Sequence, residues 1–214
     1  MYIRWFGYSC FLFSDDSVRV VTDPHDGRSI GIAKPAASAD VALCTHNSYE
    51  RNCFRSLTGK HKDFMEALGR QECGCFSFEG LPSFADASGG KERGRNSVYM
   101  FEMDGLRIVF CGALGDIPGE EEIARMKGAD IVFVPVGEFG TLPIARADEM
   151  MSAVSPKVIV PVGYRTGGIT LPLSPLSSYA EGKDPDSFVH VGNEVELTAG
   201  DIADFTGYWI FDQS

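Results

Sequence analysis

The chain has no run of about 18 apolar residues, so nothing in it predicts a membrane-spanning helix. Its first residues, M-Y-I-R-W-F-G-Y-S-C-F, alternate with polar groups and lack the apolar h-region of a secretory signal, which reads as mature sequence from Met1. Positive charge is in short supply. Nineteen Lys and Arg face thirty Asp and Glu, a formal net charge of −11. That balance opposes general nucleic-acid binding, which needs cations to displace phosphate counterions. The one basic group, Lys91, Arg93 and Arg95, is interrupted by Glu92 and reads as a solvated loop. Histidine is scarce too: His25, His46, His61 and His190 are the whole supply. A zinc site wants three or four His, Cys or carboxylate ligands, and His61 and His190 have no motif around them. Cys73 and Cys75 form C-x-C rather than the C-x2-C of a zinc knuckle. Without a signal peptide, a cytoplasmic location with free thiols is the expectation.

What is present is a strand-rich first half. Residues 2–6, 9–13 and 17–22 read as three strands with tight turns, and 41–45 as a buried strand without polar alternation. A short helix is predicted over 60–68. Further strands are expected at 75–78, 97–102 and 107–111, with Asp104-Gly105 as the hairpin turn between the last two. The pattern then changes. Residues 119–126 carry acids first and bases later, as a helix prefers. An apolar strand at 131–136, a helix at 144–154 and a strand at 157–162 follow. Two strand–helix–strand units in succession predict parallel pairing and a helix-covered sheet. Residues 167–177 read as loop, and 194–197 and 208–212 as weak strands. No linker, repeat or low-complexity segment divides the chain, so one domain over 1–214 is expected.

The stretch C-T-H-N-S-Y-E-R-N, 44–52, begins as a metal-binding loop and then fails to supply ligands. His46 follows a buried strand, where α/β folds place functional loops. Ser48 and His46 lie two apart with no acid to orient them, which does not define a nucleophilic triad. The glycines at 89, 90 and 94 fit neither a P-loop nor a dinucleotide fingerprint. They are read as loop-shaping, with Asn96 bracing that loop by side-chain hydrogen bonds.

Several stretches resemble, in order, the metallo-β-lactamase superfamily, in particular the branch of small metal-dependent hydrolases similar to L-ascorbate-6-phosphate lactonase. They are W-F-G-Y-S-C-F at 5–11, V-T-D-P at 21–24, G-G-K-E-R-G-R-N at 89–96, E-M-D-G-L-R-I at 102–108, A-D-I-V-F-V-P-V-G at 129–137 and S-P-K-V-I-V-P-V-G-Y-R-T at 155–166. The resemblance implies an α/β fold, the four-layer αββα sandwich with two mixed β-sheets flanked by helices. It also implies metal-assisted hydrolysis, but the ligand positions depart from the family pattern. The loop T-H-x-H-x-D-H is here T-H-N-S-Y-E-R: His46 survives, while Ser48, Glu50 and Arg51 replace the rest. The next histidine falls on Ala85, although Asp86 remains. The bridging aspartate falls on Ala113, a nearby histidine on Asp116, the final histidine on Gly163, and the histidine of the opening strand pair on Tyr8.

A di-metal hydrolase must hold two cations about 3.5–4 Å apart with an activated water between them. Ala85, Ala113 and Gly163 offer no side-chain donor, and Arg51 brings a fixed positive charge. The family di-metal centre is therefore expected to be absent, with no cofactor as the first expectation. Three accounts stay open. Arg51 and Glu50 form an ion pair filling the emptied cavity, with His46 hydrogen-bonded nearby. Alternatively, the cleft binds a small anionic molecule through Arg51, with Ser48, His46 and Tyr164 as polar contacts, or the protein serves a protein partner. In the third, a single divalent metal, zinc or manganese, sits among His46, Glu50, Asp86 and Asp116 and supports hydrolysis of a phosphorylated lactone or ester.

Overall fold

The computed structural model describes residues 1–213. Its first sheet grows from three short strands, β1 (Tyr2–Trp5), β2 (Phe11–Ser14) and β3 (Arg19–Thr22), joined as an antiparallel meander. Strand β4 (Val41–Cys44) then pairs parallel to β3, and β5 (Lys62–Met65) parallel to β4. The second sheet begins with the antiparallel run β6 (Gly69–Cys73), β7 (Phe76–Phe84), β8 (Arg95–Met103) and β9 (Leu106–Phe110). It turns parallel through α1 (Glu120–Met126), β10 (Ile131–Pro135), α2 (Ile144–Val154) and β11 (Val158–Val162). Helix α3 (Leu176–Ala180), β12 (Phe188–Gly192), β13 (Glu194–Glu196) and β14 (Gly207–Phe211) complete the chain. The six-stranded sheet has the order β13-β1-β2-β3-β4-β5. The eight-stranded sheet runs β12-β14-β11-β10-β9-β8-β7-β6. Two mixed sheets face each other, flanked by helices that beside the first sheet are only short 3-10 turns, the αββα sandwich expected from the sequence.

Alternation of side chains along the strands fixes which face each residue serves. Phe11 and Phe13 point between the sheets and meet Phe133 of the facing sheet edge-on, with centroids 4.9 and 5.1 Å apart. Burying each such ring contributes about 1.5–3 kcal/mol. On the opposite face of the first sheet, Cys10, Val21 and Ala42 pack with Ala37, Ala39 and Leu57, so that outer layer is built from loops and short 3-10 turns. On the second sheet, Ile108 and Phe110 face inward. Arg107 faces outward and donates to the Arg125 and Lys127 carbonyls at the end of α1.

One sequence expectation fails outright. Residues 60–68 are not a helix: 62–65 form β5, with only Phe64 buried. The segment is too short to bury a helical stripe, and backbone pairing to the apolar β4 settles it as a strand. The expected loop at 167–177 runs into the start of α3. Strands β6 and β12 were not foreseen: β6, G-R-Q-E-C, is polar and largely exposed, whereas β12, F-V-H-V-G, carried a short strand signal that went unread. Asn96 braces strand ends rather than the glycine loop 89–94 expected of it. It is buried, its Nδ2 donates to Ser83 Oγ at 2.9 Å and the Cys111 carbonyl at 3.0 Å, and its Oδ1 accepts from the Ala113 amide at 2.9 Å.

Candidate functional site

The ends of β3 and β4, the turn after β1 and the loop 45–52 meet at one rim of the sandwich. Asp23, at the end of β3 and with φ +43°, is fully buried. It accepts from the Thr45 amide at 2.8 Å and from Thr45 Oγ1 at 2.9 Å. Arg51 is 1% exposed and answers it: Nη1 donates to Asp23 Oδ2 at 2.8 Å and to Ser9 Oγ at 2.5 Å, and Nη2 to Tyr8 Oη at 2.9 Å. The guanidinium also lies 4.6 Å from the Tyr8 ring centroid, a cation–π distance. Burial raises the Asp23 carboxyl above its usual range, opposed by Arg51 and the Thr45 donors. Burial likewise pushes the Tyr8 hydroxyl up to about 12, so it stays neutral as a partner for Arg51. Although burial works against the Arg51 charge, Tyr8, Asp23 and Glu50 hold its pKa above the ordinary value.

The expected partner of Arg51 was Glu50; the structure gives that role to Asp23. Adjacent residues on a turn point apart, whereas Asp23 comes from the neighbouring strand end and faces the guanidinium directly. Glu50 is buried and looks instead toward Arg93, whose Nη2 is 3.9 Å away, beyond hydrogen-bond reach. Arg93 lies in the loop between β7 and β8, as expected, but over the Phe139 ring at 5.5 Å it is half-buried rather than fully solvated.

The remaining candidates do not gather around Arg51. His46 Nδ1 lies 2.7 Å from the Arg95 carbonyl, which can only accept, so that nitrogen carries the proton. Asp86 closes its own loop, accepting from the Ser88 amide and hydroxyl and from the Gly90, Glu92 and Arg93 amides. Burial alone would raise its pKa, but the donors, led by the Arg93 amide, hold it well below the carboxylate range. Asp116 pairs with Arg146 at 2.8 Å and lines the same cavity as Asp86. Tyr164 packs on Trp5 with centroids 5.9 Å apart, and its hydroxyl donates to the Phe211 carbonyl at 3.3 Å. Tyr164 is thus set in the core beside the Tyr8 turn, and no contact joins it to Arg51. Ser48 shares the Arg51 turn, its carbonyl accepting from the Arg51 amide at 3.0 Å.

These side chains do not fit the metal centre that the fold family implies. Among the described residues, no three His, Cys, Asp or Glu groups are placed to hold one ion. Gly163, at the family's last histidine position, has φ +68°. A Cβ added there would lie 3.7 Å from the Tyr8 ring. Tyr8 therefore stands over Gly163 and carries its hydroxyl to Arg51. A guanidinium and a phenol occupy the rim, and the Asp86 lone pairs are committed to backbone amides.

Tyr8, Ser9 and Asp23 were not among the ligand candidates in the sequence. The V-T-D-P stretch marked Asp23 as a strand end, and Tyr8 was visible as a departure from the family histidine. His25, just past Asp23, is fully buried. Its Nε2 lies 3.2 Å from the Phe6 carbonyl and its Nδ1 has no partner. Burial lowers its pKa by penalising the charged ring, opposed by the Phe6 and Gly7 backbone and by Asp26. A base depressed in the folded state contributes stability that is complete above the ordinary histidine pKa, about 6.5, and lost as pH falls below it. Melting temperature should therefore decline as pH falls through that window, and the decline should be shallower in His25→Gln. Equal slopes in the two proteins would remove His25 as the cause.

Comparison with known proteins places this rim in context. A UPF0173 metal-dependent hydrolase of Archaeoglobus fulgidus is 25% identical over 195 residues, covering 78% of this chain and 84% of the relative. One of Thermus thermophilus is 24% identical over 190 residues, covering 77% and 84%. The crystal structure of a metallo-β-lactamase superfamily protein from Thermotoga maritima superposes with a TM-score of 0.82 at 24% identity, covering 100% of this chain and 99% of that one, which shows a shared fold. Among the described residues the superfamily's usual cluster of metal ligands is absent; residues 2–163 nonetheless match the family model of the Beta-lactamase superfamily domain, and the chain belongs to that family, within the metallo-β-lactamase superfamily.

Proposed function

We propose that this protein is a non-catalytic member of the superfamily that binds a small anionic molecule at the rim where its relatives' fold implies metals. The observation that carries this reading is three buried donors without acceptors. Ser48 Oγ and Arg51 Nε sit on one turn, and Arg93 Nε belongs to the arginine facing Glu50 of that same turn. Leaving a buried donor unpaired costs about 1–3 kcal/mol. Phosphate or carboxylate oxygens suit such donors, and guanidinium groups match their geometry. Arg93, partly exposed, is the entry cation; Arg51, sealed and neutralised by Asp23, presents only its Nε edge. The near-complete burial of Arg51 favours a small ligand over a protein surface. Resemblance to the lactonase branch directs the choice of ligand toward phosphorylated sugar acids and lactones. The hydrolase alternative has no comparable support, because His46, Glu50, Asp86 and Asp116 are each turned to a different partner.

The test is thermal denaturation with inorganic phosphate and a panel of phosphorylated sugar acids and carboxylic acids. A ligand at about 100 times its Kd stabilises by about 2.7 kcal/mol, which raises Tm by about 5–10 °C for a chain of this size. Arg93→Ala should abolish the rise. Glu50→Gln, which removes a competing carboxylate, should strengthen binding. A panel in which nothing stabilises the protein, or in which Arg93→Ala responds as the wild type does, overturns the reading.

A further inference from the structure

The rim accounts for none of the cysteines, and two of them are arranged in a way the binding reading does not use. Cys73 ends β6, Phe76 begins β7, and the two are paired across a two-residue turn of Gly74 and Cys75. Gly74 has φ +61° while Cys75 is absent from the positive-φ residues, which is the pattern of a II′ hairpin turn with glycine first. In that geometry the Cα atoms of residues 73 and 75 are bridged by two steps of about 3.8 Å bent sharply, giving a separation of about 5.5 Å. Disulfides need about 4.4–6.8 Å.

Direction matters as much as distance. Cys73 shares a face with its cross-strand partner Phe76, which is buried between the sheets, and Cys73 itself packs against that core. Cys75 Sγ points to the Ser17 carbonyl at 3.8 Å, on the turn joining β2 and β3 of the facing sheet. Both thiols therefore project toward the inner side of the hairpin, at the end of the sandwich. Cys75 is exposed and Cys73 half-buried, so one sulfur is open to a reagent and the other waits behind it. The remaining thiols have no such pairing: Cys10, Cys44 and Cys111 are buried, and Cys53 stands alone.

We propose that Cys73-Gly74-Cys75 is a redox-active dithiol that exchanges with small disulfides of the glutathione class. The Cys75 thiolate attacks one sulfur of glutathione disulfide. A mixed disulfide forms, the glutathione S–S bond breaks, and one glutathione leaves as thiolate. The Cys73 thiolate then attacks Cys75 Sγ, forming the intramolecular S–S bond and expelling the second glutathione. Two protein thiols are oxidised, one disulfide is reduced to two thiols, and the two protons released end on the glutathione thiolates. Closing so small a ring needs the turn to distort, and strained, exposed disulfides are the readily reduced ones. Excess reduced glutathione should return the dithiol.

Trypsin cleavage after Arg70 and Lys91 gives a peptide, 71–91, that contains Cys73 and Cys75 and no other cysteine. The folded protein, treated with glutathione disulfide, quenched with acid and digested without reductant, should yield this peptide lighter by two hydrogens. In Cys73→Ser the same peptide should instead hold one glutathione on Cys75. Circular dichroism before treatment checks that the variant is folded. A wild-type peptide that stays unmodified, or that accumulates glutathione adducts without closing, overturns the proposal.

Discussion

Arg51→Met should lower unfolding free energy by about 3–5 kcal/mol, the cost of leaving a buried charge without its partner. Asp23 lies wholly inside the protein and its carboxylate meets one guanidinium and Thr45. Methionine fills similar volume, so the loss measures charge and hydrogen bonding more than packing. Urea denaturation gives the number. Lysine should not restore it. A single ammonium cannot reach Asp23, Ser9 and Tyr8 together as the planar fork does. Arg51→Met combined with Asp23→Asn should recover much of the loss, because removing both charges spares their desolvation. A double variant as unstable as the sum of the singles would show that the pair is not coupled. Chelator enters the same experiment: with a guanidinium supplying the internal positive charge, the wild-type midpoint should not move in EDTA. A large fall would mean that a bound cation, and not Arg51, holds this rim.

How far the sequence revealed this arrangement depends on where each signal resides. Helix α2 is legible at 144–154 from apolar positions that include Ala145, Met151 and Ala153, although the face it buries is Ala147, Met150, Met151 and Val154. Strands β10 and β11 were read from unbroken apolar runs, which only a strand covered on both faces tolerates. Strand β5 was missed because pairing with β4 decided it, and pairing is not local. The site divides as well. Losses at Ala85, Ala113 and Gly163 are legible only through the family resemblance, which assigns ligand positions to them; the residues alone carry no such signal. The partner of Arg51 was not legible, since Asp23 lies 28 residues away and reaches it through the end of a neighbouring strand. The Arg93–Glu50 approach joins loops from different sheets, and residue spacing says nothing about that meeting.

Gly112→Ala should be nearly as damaging, and for a reason that ties the two sheets to the same cluster. Gly112 has φ +61°, a conformation costing about 1–2 kcal/mol for any residue with a Cβ. A Cβ there would also come within 2.1 Å of Thr45 Oγ1 and 2.3 Å of Thr45 Cβ. Thr45 is the residue that donates twice to Asp23, so it cannot retreat without loosening the acid that holds Arg51. Overpacking of this kind adds about 1–3 kcal/mol, for a total of about 2–5 kcal/mol. Gly105→Ala is the control. Its φ is +73°, yet a Cβ there meets nothing within 4 Å, so it should show the backbone cost alone. Equal losses in the two variants would sink the claim that the Thr45 contact matters. A larger loss at Gly112 locates the tight approach between the eight-stranded sheet and the loop after β4. Ala113 comes next in the chain, at the position of the family's bridging aspartate. Ala113 is itself buried, with its amide donating to Asn96 Oδ1 at 2.9 Å, so a carboxylate there would be placed inside the closed core beside this tight approach.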